Sequence, residues 1–206
     1  MCLIIYKPAG LSIPTELIEA AAHFNRDGWG LMGHIQTQGC LCERHERVDP
    51  QAILRRLHVL EQAELCLHLR LRTRGSRGLD EAQPFKITDR YWLMHNGTLR
   101  LPPQPGHSDS RLLAERILRP LFAAWPELPI QAAFVALVEA GLGPENKVVL
   151  FDAEWRRFHF FNYRYGAEFE GLWLSSTRWI DRRRLALAHA PQPQAQSYPI
   201  AELEFV

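Results

Sequence analysis

The spacing of apolar and polar residues changes several times along this chain, and each change marks an element. Residues 2–7 (CLIIYK) read as a buried strand. Pro14-Thr15 opens an amphipathic helix through about Phe24, and Asp27-Gly28 is a turn signal. Gly28 to Ile35 and Cys40 to Glu46 read as paired strands around a Gly-containing loop. Asp49-Pro50 is an N-cap and first-turn pair, starting a helix with Ile53, Leu54, Leu57 and Leu60 on one face. Leu65 to Thr73 alternates: leucines 65, 67, 69 and 71 face one way, Cys66, His68, Arg70 and Arg72 the other.

Tyr91 to Met94 is a short strand that runs into His95-Asn96-Gly97. After a loop from Leu101 to His107, Ser108 caps a helix through about Leu118, with Asp109 in its first turn. Pro129 to Glu139 is a further helix, ended by Gly141 and Gly143. Strands are expected at Lys147–Phe151, Arg157–Tyr163, Leu172–Ser175 and Ile200–Val206, with a polar loop at 191–196. Strands thus flank a helical middle, which predicts an α+β fold of two packed sheets with helices outside.

The chain has 206 residues, 47% apolar and 23% charged, which suits one domain spanning 1–206. A net charge of +1 gives no electrostatic case for nucleic acid or an anionic membrane. Arg182, Arg183 and Arg184 read as a solvated surface run. No apolar run approaches the roughly 20 residues of a membrane span. The start, MCLIIYKPAG, lacks the basic region and cleavage site of a signal peptide, so a cytoplasmic location is expected. Four cysteines do not suggest a disulfide framework. Cys40-Leu41-Cys42 with His45 lacks a suitably spaced fourth ligand, so no metal is expected, nor any other cofactor.

The candidate chemistry starts at Cys2. Methionine aminopeptidases remove Met1 when a small residue follows, leaving a thiol and a free α-amine on one residue. An α-amine titrates near about 7.7–8.0 and a thiol near about 8.5, so the amine can take the thiol's proton directly or through one water. Four further segments follow in order: Asp27-Gly28-Trp29-Gly30, His68 to Gly75 (HLRLRTRG), His95-Asn96-Gly97-Thr98-Leu99, and Ser108-Asp109-Ser110.

With the Pro84-Phe85 pair, this order resembles the class II glutamine amidotransferases, most closely their stand-alone single-domain branch, over roughly the first half of the chain. The resemblance implies the N-terminal nucleophile hydrolase fold, a four-layer αββα sandwich of two mainly antiparallel sheets, with the later strands in the second sheet. It implies Cys2 as nucleophile, and Asn96 and Gly97 as donors to the oxyanion. It implies Arg70 as partner of the substrate's α-carboxylate, with Thr73 adding a hydroxyl, and Asp109 as partner of the α-ammonium. Guanidinium suits a carboxylate because it binds in two-point fashion, and glycine lets the backbone approach closely.

The implied substrate is glutamine or a γ-glutamyl small molecule, cleaved through a thioester with release of ammonia or an amine. A separate ammonia-accepting synthase subunit is one implied partner. His68 and His95 are expected to support the site by hydrogen bonding rather than act as bases. Leu71 and Arg74 depart from the synthase branch, which carries tryptophan and histidine there. The competing reading is a non-catalytic binding or assembly protein that keeps the fold and retains Met1.

Overall fold

The computed structural model describes residues 2–35, 39–181 and 183–185. The expected strand at 200–206 and loop at 191–196 lie outside them. Ten strands form two antiparallel sheets among the described residues. The first runs β3 (Gly39–His45), β2 (Trp29–Ile35), β4 (Glu64–Leu69), β1 (Leu3–Lys7), β10 (Leu172–Leu174) and β9 (Ala167–Phe169). The second runs β5 (Phe85–Lys86), β6 (Tyr91–Asn96), β7 (Lys147–Asp152) and β8 (Arg157–Phe161).

Side-chain alternation divides the interior into three apolar layers. Leu3, Ile5, Leu31, Leu65 and Leu67 turn outward, under helices α1 (Thr15–Phe24) and α2 (Pro50–Val59), which bring Leu17, Ile18, Ile53 and Leu57. Ile4, Met32 and Cys66 turn inward to meet Met94, Val149 and Phe151 of the second sheet, with Trp173 among them. Tyr91, Leu93, Val148 and Leu150 pack under the remaining helices through Ala114, Leu118 and Phe122. The order is helix, sheet, sheet, helix, an α+β sandwich as expected. None of the described helices is long and apolar enough to cross a membrane.

Local chemistry explains the boundaries. Asp49 accepts from the Gln51 and Ala52 amides at 3.0 and 3.2 Å, and Pro50 opens α2 behind it. The helix after Ser108 has α-helical ends, α3 (Asp109–Leu112) and α4 (Arg119–Ala124), joined by a wider π-helical stretch at Leu113–Leu118. That stretch ends just before Pro120, which has no N–H to donate to the preceding turn.

Three expectations need correction. The helix placed at 129–139 is α5 (Ala132–Leu142), because Pro129 sits in a short 3-10 turn and Gln131 is extended; Gly141 lies inside the helix, and Gly143, at φ +67°, ends it. Strand β4 stops at Leu69 rather than Thr73. Arg70 makes the last rung, donating to Gly28 O (2.8 Å) and accepting from Asp27 N (3.0 Å); the Asp27 carboxylate then captures Arg72 N and turns the chain away. The polar face of β4 points into the interior between the sheets. Leu172–Leu174 joins the first sheet beside β1, not the second, pairing Ile5 with Leu174.

The glycines of Asp27-Gly28-Trp29-Gly30 permit a close crossing. A Cβ on Gly30 would lie 2.0 Å from Gln83 O and 2.4 Å from Glu43 O, both backbone atoms. Gln83 bridges onward to β6: its Oε1 accepts from His95 N at 2.6 Å and its Nε2 donates to His95 O at 3.1 Å. Gly30→Ala is therefore expected to lower the unfolding free energy by about 1–3 kcal/mol, read in urea. A variant as stable as the parent would mean that the chain at Gln83 yields without cost.

Candidate functional site

Five chain segments end at one edge of the sandwich. The register of β1 with β4 pairs Leu3 with Leu69, so Cys2 and Arg70 continue the ladder side by side. Strand β6 ends at Asn96, paired with Lys147, and Asn96 shares the inter-sheet face with Met94. Ser175 follows β10, and Asp109 opens α3.

The Asn96 carboxamide joins these ends. Its Oδ1 accepts from Cys2 N at 3.1 Å, and its Nδ2 donates to Ser175 Oγ at 2.9 Å. Ser175 in turn pairs with β1 by accepting from Ile4 N at Oγ (2.8 Å) and donating its own N–H to Ile4 O (2.9 Å). Asn96 and Ser175 are buried, so each of these donors would lie unsatisfied if its partner were lost. Gly97 follows at φ +149°, and a Cβ there would fall 2.1 Å from Asn146 Oδ1. The position therefore demands glycine.

Cys2 is partly buried, and its Sγ lies 3.7 Å from Leu71 O. Burial pushes its thiol pKa up, against a smaller lowering by that contact and by the Arg70 charge. Arg70 is 3% exposed. Its Nη2 donates to Ser76 O at 3.0 Å and Arg74 O at 3.3 Å, while its Nη1 is sealed from solvent with no acceptor among the described residues. A buried guanidinium donor without a partner is costly, and an anion would satisfy it.

Asp109 lies in a cavity of about 550 Å³ whose wall includes Arg74, Gly75, Ser76, Gln104 and His107. Its Oδ2 accepts from Leu99 N at 2.6 Å and its Oδ1 from Ser110 N at 3.0 Å. Glu81, fully buried, sets the start of α3: Oε2 accepts from Ser108 N at 2.9 Å and Oε1 meets Arg111 Nη1 at 3.2 Å. Thr73 differs from expectation. It is exposed on the loop beyond Arg72 and enters none of the hydrogen bonds that tie the other residues together.

Both motif histidines are buried and neutral. His95 faces the helix side, with Nδ1 2.8 Å from Ser110 Oγ and Nε2 3.1 Å from Asn146 Oδ1. Because Asn146 Nδ2 is committed to Leu142 O at 2.7 Å, its Oδ1 must accept; Nε2 therefore carries the proton and Nδ1 accepts from Ser110. Burial lowers the His95 pKa, and burial with the nearby Arg70 charge pushes His68 down to about 3. Neither makes a hydrogen bond to Cys2.

The residues of the cysteine cluster separate. Cys40 Sγ donates to Ala153 O at 3.3 Å, Cys42 packs on the inter-sheet core, and His45 stacks on Trp29 on the opposite face. No group of three or more His, Cys, Asp or Glu side chains among the described residues could hold a metal ion.

Ser175, Glu81, Gln83 and Asn146 were not legible as site residues, since each acts through a partner distant in sequence. Ser175→Ala leaves the Ile4 and Asn96 donors unpaired and is expected to cost about 1–3 kcal/mol in urea unfolding. Combined with Asn96→Ala it should show a coupling of at least about 0.5 kcal/mol; strict additivity would rule the bridge out. In protein that retains Met1, alkylation of Cys2 by iodoacetamide should accelerate with pH up to an inflection above the free thiol's roughly 8.5, because burial favours the protonated form. An inflection below that value would contradict the burial argument.

No family model matches the chain, and no curated protein matches it. Among solved structures, it is similar to a glutamine phosphoribosylpyrophosphate amidotransferase from B. subtilis complexed with ADP and GMP, at 11% sequence identity and a TM-score of 0.46. The match covers 87% of this chain, which spans 42% of the length of that one.

Proposed function

We propose that this chain is an amidohydrolase of the class II glutamine amidotransferase type, cleaving glutamine or a γ-glutamyl amide with Cys2 as nucleophile. The observation that carries the reading is the meeting of the Cys2 backbone nitrogen with the Asn96 carboxamide, beside a buried arginine with an open donor.

Each step has a group suited to it. Once Met1 is removed, the Cys2 α-amine takes the thiol proton, a task that burial makes necessary because the thiol does not ionise alone at neutral pH. The thiolate attacks the amide carbon. Ser175 occupies one Nδ2 proton of Asn96, and the second, with Gly97 N–H, serves the oxyanion, a role worth about 2.7–4 kcal/mol per donor. Arg70 takes the substrate's α-carboxylate and Asp109 its α-ammonium. The C–N bond breaks, the leaving nitrogen receives the proton from the Cys2 ammonium, and water hydrolyses the thioester to release glutamate. The ammonia or amine then passes to a separate synthase subunit or into solution.

The test is the intact mass of protein beginning at Cys2 after incubation with a glutamine-mimicking diazo-ketone. A single adduct on Cys2, absent in Cys2→Ala, is expected. Arg70→Lys should lower kcat/KM for glutamine about 10- to 100-fold through loss of the two-point contact. An unmodified Cys2 with its α-amine free would sink the proposal in favour of a binding or assembly role.

A further inference from the structure

A second cavity has Asn96 in its wall. It measures about 300 Å³, and its wall includes Asn96, Ser175, Thr177, Lys147, Arg178 and Trp179. We propose that this cleft receives the amine half of a γ-glutamyl substrate, and that this amine carries a carboxylate. The inference rests on the amidohydrolase reading and gives that site its substrate class.

The proton's route ties the leaving group to Asn96. The departing nitrogen collects its proton from the Cys2 nitrogen, and that nitrogen is held by Asn96 Oδ1 at 3.1 Å. Asn96 and Ser175 both line this cleft, whereas Asp109 and the loop held by Arg70 line the other cavity. The groups assigned to the glutamyl half and the groups that line this cleft thus belong to two different cavities. Ammonia needs about the space of one water, roughly 30 Å³. A cleft about ten times that size has room for a much larger leaving group.

Its lining specifies charge. Lys147 pairs with Asn96 across β6 and β7, so both side chains share the inter-sheet face. Lys147 is 7% exposed, and its ammonium, with three donors, has Pro144 O at 2.8 Å as its acceptor among the described residues. Trp179 Nε1 is sealed from solvent and has no acceptor among them. Arg178 reaches the same cleft and meets Glu145, the acidic residue of the lining, at 3.3 Å. Two cations against one carboxylate leave a net positive cleft, with the unpartnered Trp179 N–H as a further donor, the complement of a carboxylate.

The experiment compares kcat/KM of the Met1-free protein for four substrates: glutamine, γ-glutamylglutamate, γ-glutamyl methylamide and γ-glutamyl ethylenediamine. The acidic substrate should lead by about tenfold or more and the cationic one should be poorest. Lys147→Met and Arg178→Gln should each reduce turnover of γ-glutamylglutamate at least about fivefold more than turnover of glutamine. Arg178 is exposed, so its variant keeps the test independent of any folding defect at Lys147. Equal rates for all four, or equal losses on both substrates in the variants, would overturn the subsite while leaving glutamine hydrolysis standing. If none of the four is cleaved and the diazo-ketone fails to label Cys2, the amidohydrolase reading fails and the subsite falls with it.

Discussion

The two ends of the Asn96 carboxamide hold the site together. One end accepts from Cys2 at the start of β1, and the other donates to Ser175 at the end of β10, while Asn96 itself belongs to the opposite sheet. Three strand ends from two sheets must therefore meet at the same height. Each sheet has its own ladder, and packing of Ile4, Met32 and Cys66 on Met94 and Val149 tolerates small slides between the sheets. A buried hydrogen bond does not, because a shift of one ångström leaves its donor unsatisfied. Gln83 repeats the device farther along, gripping the backbone of His95 with both ends of its amide.

Burial then decides which groups can carry charge. His68 and His95 are held neutral, the Cys2 thiol is held protonated, and Arg70 stays the fixed cation between them. On the proposed reading, the proton acceptor for the thiol is the α-amine of Cys2 itself. The same low polarity strengthens every hydrogen bond offered to a developing negative charge, so the desolvation that silences the thiol at rest favours the charged state reached once a base and a substrate are present.

Alternation showed that Cys66, His68 and Arg70 share a face, because a strand's period of two is a local property. It did not show that the face is interior, since polar residues on one side of a strand usually meet water. The cap at Asp49, the paired strands around residues 36–38 and the entry to α3 were legible for the same local reason. Ser175 was not. It follows a three-residue strand, and its role depends on that strand leaving the second sheet's neighbourhood to pair with β1, a choice made by contacts some 170 positions apart. Glu81 and Asn146 were hidden likewise, the first capping a helix 27 positions on and the second buttressing a glycine 49 positions back.

Asn146 also ties Gly97 to the loop that walls the cleft beyond Asn96. Its Oδ1 accepts from His95 and sits where a Cβ on residue 97 would lie, so it sets how the Gly97 N–H is presented. Its neighbours Pro144, Glu145 and Lys147 form one wall of the cleft beyond Asn96. Asn162, buried and in a left-handed conformation, ties the loop down by donating to Gly143 O and Asn146 O. The segment from 143 to 147 therefore shapes the wall of one cavity and the setting of Gly97 at once. A group bound against Lys147 would lie beside the same short loop that packs on Gly97. On the proposed reading, a substrate's far end in that cleft and the oxyanion donor at Gly97 would share this one short loop, a link through backbone rather than through the nucleophile.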